Sequence, residues 1–109
     1  MIIDFDIMQE TRNSEFKGGT GDTFLKMFSN ELGKIMLGRL EPGSSIGFHA
    51  HETNSEIIYI ISGKADFLYD DGTEEAVSGE CHYCPKGHSH SMINNGTQDL
   101  VFFAVVPEQ

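Results

Sequence analysis

The chain of 109 residues has no tryptophan, two cysteines, and seven basic residues against seventeen acidic ones. Each shortage removes a class of function. A formal charge of −10 leaves no basic patch for nucleic acid or an anionic membrane surface, both of which bind through clustered Lys and Arg. No apolar run approaches the length needed to cross a bilayer. The opening Met1-Ile2-Ile3-Asp4-Phe5-Asp6 lacks the positive head and apolar stretch of a signal peptide, so a cytoplasmic setting is expected. No segment carries the 3.6-residue period of a long amphipathic helix. Internal repeats and low-complexity tracts are absent, and no Ser/His/Asp or Cys/His nucleophile pattern stands out. The glycine-rich Gly18-Gly19-Thr20-Gly21 lacks the lysine and serine of a phosphate-binding loop, and reads as a turn or loop.

The cysteines form C-x-x-C at Cys81 and Cys84, a spacing that elsewhere suggests redox or zinc chemistry. Here they fall in a strand-like segment before Pro85, and a spacing of three on a strand sends side chains to opposite faces. They are expected to be small apolar packing residues.

What remains is a β-rich composition with 8 Phe and 12 Gly. Residues 1–10 alternate as an opening strand, with Ile3, Phe5 and Ile7 against Asp4 and Asp6. Phe24–Phe28 and Lys34–Glu41 are further strand candidates, the latter broken by Pro42-Gly43. The continuous apolar runs Glu56–Ile61 and Leu100–Val106 suit strands covered on both faces. Asp70-Asp71-Gly72 is a hairpin signal. Short strands with Gly, Pro and Asp turns indicate one closed or two-sheet β domain over residues 1–109.

Within it, His49 and His51 are two apart, which on a strand places both imidazoles on one face, roughly 7 Å apart along the backbone. Glu56 stands at the entrance of the next apolar run, and His90 opens the segment Ser89–Asn94. Three imidazoles and a carboxylate form a mixed nitrogen and oxygen set suited to one divalent transition metal ion: Fe, Mn, Ni, Zn or Cu. Four protein ligands leave an octahedral ion two open positions, as catalytic sites require and closed structural sites do not. His82 and His88 are extra bases near His90, able to orient a ligand.

The chain resembles the cupins at these residues. Gly43, His49, His51, Glu56 and Gly63 fill the first cupin motif, and Gly79, Pro85, Gly87, His90 and Asn94 fill the second. Residues 43–63 and 79–94 thus carry ten specified positions at the family's spacing. The resemblance implies a jelly-roll barrel, or double-stranded β-helix, holding a metal ion. It leaves the reaction open, since one fold hosts many functions.

The leading expectation is a metal-dependent enzyme acting on a small neutral or apolar substrate, by an oxygenase-type oxidation. One alternative is a metal-bearing module that binds or senses a small ligand without turnover. Another is a cupin of the sugar isomerase or epimerase kind. Phosphate recognition needs well-placed cations, and the basic residues in or near the strands are Lys26, Lys34, Arg39, Lys64 and Lys86. A homodimer is expected, because the apolar runs offer two faces and a small barrel interior uses one.

Overall fold

Alternating side chains, broken at Gly, Pro and Asp turns, give ten strands in a computed structural model that describes Met1–Gln109. They are β1 (Thr11–Ser14), β2 (Asp22–Asn30), β3 (Gly33–Leu40), β4 (Ser45–Ala50) and β5 (Glu56–Ser62), followed by β6 (Lys64–Tyr69), β7 (Gly72–Val77), β8 (Cys81–Cys84), β9 (Ser89–Ile93) and β10 (Leu100–Pro107). One 3-10 turn covers Phe16–Gly18. The strands form a six-stranded sheet, β1-β2-β3-β10-β5-β8, and a four-stranded sheet, β4-β9-β6-β7. Every pairing is antiparallel. The two sheets close as the all-β jelly-roll barrel, or double-stranded β-helix, expected from the motifs.

The core fills from both sheets: Leu25, Ile58 and Phe102 meet Phe67 and Met92. Phe67 and Phe102 are each 1% exposed, and burial of such a ring stabilises by about 2–3 kcal/mol. Gly43, Gly63, Gly79 and Gly87, the motif glycines, all take positive φ, so they supply turns rather than chemistry. Asn94 is likewise structural. Its Nδ2 donates to the carbonyls of Leu40 and Gln98, and its own backbone pairs with Gly43 and Ser44. The expected hairpin turns at Asp70-Asp71, between partners Tyr69 and Gly72.

Four local expectations change. Residues 1–10 form no strand, because Thr11–Ser14 takes the edge position beside β2 and leaves them no ladder to join. They lie instead over the outer face, where Phe5 meets Phe103 edge-on at 6.2 Å. Arg39 holds them there, donating two bonds of 3.0 Å to Glu10 while lying 3.9 Å over the Phe24 ring. Only one of the two apolar runs lacks cover on a face: β5 alternates, with Ile57, Tyr59 and Ile61 40–43% exposed, whereas no residue of the β10 run is exposed. Cys84 is buried as expected, but Cys81 is exposed on the opposite face of β8.

The fourth change shapes the site. Simple alternation places Ser45 and Gly47 with His49. In the ladder, Ile46 pairs with Met92 and His49 with His90, so β4 takes three steps where β9 takes two. This extra residue is a β-bulge. It turns Ile46 inward, where it packs on the core, and leaves Ser45 bonded outward to Thr20.

Candidate metal centre

Three separate elements deliver the expected residues. His49 lies near the end of β4, opposite His90 on β9, and His51 follows one residue past β4. Glu56 opens β5. One donor atom from each lies within 4.8 Å of the others. His51, Glu56 and His90 are buried, while His49 is partly exposed.

Hydrogen bonds fix how each ring faces. His49 Nδ1 donates to the Gly47 carbonyl at 2.7 Å, and His51 Nδ1 donates to Asn54 Oδ1 at 2.5 Å. His82 Nδ1 donates to Glu74 Oε1 at 2.5 Å, so His82 Nε2 accepts from His90 Nδ1 at 2.9 Å. With all three Nδ1 atoms used as donors, each Nε2 keeps its lone pair. Those of His51 and His90 face one another at 2.9 Å and lie 3.3 and 3.0 Å from Glu56 Oε1. Lone pairs so close repel unless a cation lies among them. The separations also match donors at right angles around an ion with bonds of about 2.0–2.2 Å. The donor set therefore fits a divalent ion.

The electrostatics agree. Without an ion, a proton on His51 or His90 Nε2 can take its place: burial pushes the Glu56 carboxyl up, but hydrogen bonds donated by these protonated rings outweigh it and hold it down at about 2. The Glu56 bond raises His51, whereas burial lowers His49. The cluster thus carries a full carboxylate charge with no Lys or Arg paired to it. A proton or a metal ion must balance it.

His49, His51 and Glu56 line a cavity of about 270 Å³. Its inner wall is apolar, with Leu25, Met36, Ile46 and Phe102. Lys17 and Lys34, both exposed, also line it. Of the two, only Lys34 figured among the strand cations of the sequence, and neither is tied to a carboxylate. Arg12, Arg39 and Lys64 are so tied. The cavity thus combines an apolar inner wall with two free cations.

Of the extra bases, His82 reaches the cluster through His90 and is stacked on Phe67 at 3.8 Å. His88 does not: it is half-buried and donates to Asp70. Burial pushes the Cys84 thiol up to about 11, so it stays protonated and offers no thiolate ligand. The sequence reading missed Lys17, Asn54 and Glu74. Asn54, between His51 and Glu56, was the one with a positional signal.

The Cupin domain family profile matches residues 36–106. The chain is 32% identical to an oxalate-binding protein of Thermotoga maritima, covering 97% of this chain and 93% of that protein. It is also similar to a solved structure described as a predicted oxalate decarboxylase from Thermotoga maritima. There the identity is 29%, all of both chains is covered and the TM-score is 0.93. A structure described as a sugar phosphate isomerase from a cupin superfamily, from Silicibacter pomeroyi, is 19% identical. It covers all of this chain and 76% of that one, with a TM-score of 0.80.

Proposed function

This chain belongs to the cupin family, and on that premise we propose that it holds one divalent transition ion and binds a small carboxylate anion of the oxalate kind. His49, His51, Glu56 and His90 are the ion's ligands in this reading. The observation that carries it is the convergence of three imidazole lone pairs and a carboxylate on one point beside a small cavity lined by two unpaired lysines. Bound there, the ion supplies Lewis acidity and exchangeable positions for carboxylate oxygens. The relative named for oxalate binding supports the ligand class. Cavity size supports it too, since about 270 Å³ lies below the usual range for drug-sized ligands.

The chain's own residues divide the work. Gly47, Asn54 and His82 orient the imidazoles. Leu25, Met36 and Phe102 exclude water from the inner wall. Lys17 and Lys34 offset a protein field of −10 that by itself repels anions. A neutral or apolar substrate leaves these two cations without a role.

Glu52 favours a second reading in which the ligand is also processed. It is the one carboxylate lining the cavity that is outside the ligand set, and such a group can carry a proton. Oxygen uptake and carbon dioxide release with the bound ligand separate oxidation and decarboxylation from binding alone.

Elemental analysis of the purified protein should find about one divalent ion per chain. Titration calorimetry should show oxalate binding to the loaded protein and none after chelation. His49→Ala with His51→Ala should abolish both. Protein that cannot be loaded with Fe, Mn, Ni, Zn or Cu would falsify the reading.

A further inference from the structure

We propose that Lys17 is the specificity-determining residue for the anion, held over the cavity by a strained turn that the fold tolerates for this purpose. This inference rests on the carboxylate-binding reading above.

The turn is unusual in its backbone. Glu15 and Lys17 have φ of 51° and 55°, and Gly18 follows at 81°. Left-handed backbone is uncommon in residues other than glycine, because Cβ crowds the following carbonyl. Glycine stands immediately after Lys17 but not at it, although it would relieve the crowding there. Strain of this kind persists where surrounding packing overrides it, and it clusters at ligand sites.

The packing here is specific. Phe16 points into the cavity wall and packs on the core, anchoring the turn from below. Behind it, the turn lies backbone to backbone on the bulged part of β4. A Cβ at Gly47 would fall 2.1 Å from the Lys17 carbonyl oxygen, and one at Gly19 would fall 2.1 Å from that of Ser45. Two glycines facing each other therefore allow the approach that brings Lys17 to the cavity.

Charge completes the argument. Lys17 is exposed, has no carboxylate partner, and lies 5.6 Å from the Phe16 ring centroid. It lines the same cavity as His49, His51 and Glu56. A cation in that position weakens the site for a metal ion and strengthens it for an anion.

The test compares Lys17→Met, Lys17→Gly and Lys17→Arg in metal-loaded full-length protein, with oxalate as the probe. Removing a charge-assisted hydrogen bond should weaken oxalate binding about 10- to 100-fold in the Met and Gly variants. Lys17→Arg should retain it within a few-fold. Metal affinity, measured against a competing chelator, should stay equal or rise in both uncharged variants, whereas structural damage would lower it. Lys17→Gly should also melt on the order of 3 °C higher than wild type, because the backbone strain is relieved. Oxalate affinity within twofold of wild type in the Met and Gly variants overturns the assignment and leaves the metal-site reading standing. A Lys17→Gly melting temperature at or below wild type overturns the strain argument. Loaded wild-type protein that binds no oxalate overturns this inference together with the reading beneath it.

Discussion

The Nδ1 atoms of three imidazoles decide where their Nε2 lone pairs point, and only one of the three partners is a backbone carbonyl. His90 depends on a chain of side chains, Glu74 to His82 to His90, with His82 2% exposed. Replacing His82 by Phe keeps the stack on Phe67 but removes the acceptor. Metal affinity should then fall about 10- to 100-fold, the usual effect of losing a partner of a ligand. Glu74→Gln should have a smaller effect of the same sign, and a chelator competition assay reads both. Glu56 sets a pH signature in metal-free protein. Its folded value of about 2 lies below its ordinary 4.5, so its stabilisation is present above 4.5 and lost as pH falls toward 2. That shift corresponds to on the order of 3 kcal/mol. His51, raised from 6.5, contributes in the other direction: its share is present below 6.5 and fades as pH rises through the raised value. His49 and His82, both lowered by burial, oppose His51 there, so the clear signature is the acid limb: chelated protein should lose melting temperature as pH falls from about 4.5 toward 2. Glu56→Gln should flatten the acid limb, and equal acid slopes for the two proteins would refute the pairing.

At the scale of elements, the bulge in β4 and the 3-10 turn form one unit. Regular alternation would leave Ile46 outside, whereas the extra residue turns it into the cavity wall beside His49. Gly47 within the bulge lets the turn approach. Gly47→Ala places Cβ against backbone atoms of Lys17 and Gly19, which cannot rotate away as a side chain would. The expected loss is about 1–3 kcal/mol, read from the denaturant midpoint. Ligand binding should weaken as well, since Lys17 moves with the turn. An unchanged midpoint would mean that the turn is not packed on β4.

At the scale of the whole molecule, the outer face of the larger sheet is half dressed. Residues 1–10 cover part of β10 through Phe5 and part of β3 through Glu10, which Arg39 holds. Ile57, Tyr59, Ile61 and Tyr83 remain 40–53% exposed on adjacent strands. We propose that a second copy covers them through a two-fold contact, because a contiguous apolar patch is a usual mark of an interface. Light scattering at micromolar concentration should give twice the chain mass, and Tyr59→Glu should return it to one. A wild-type protein of single-chain mass would rule the dimer out. No helix is long and apolar enough to cross a membrane.

The clustering of His49, His51, Glu56 and His90 was legible in the sequence because strand periodicity and motif spacing are local properties of the chain. The β class, the hairpin at Asp70-Asp71 and the turn glycines were legible for the same reason. Other features were not local. Residues 1–10 alternate as a strand should, yet whether a strand forms depends on which segment takes the free edge. The faces of β5 look equally apolar, and closure of the barrel alone chooses which one is buried. Lys17 sits in a glycine-rich stretch that gives no hint of its destination. It reaches the site only because a bulge 30 residues later in the chain opens room for the turn. The donor residues can be read from motif spacing along the chain, but the bonds that choose their donor atoms and the charges that surround them come from segments distant in sequence, and only the closed fold brings those together.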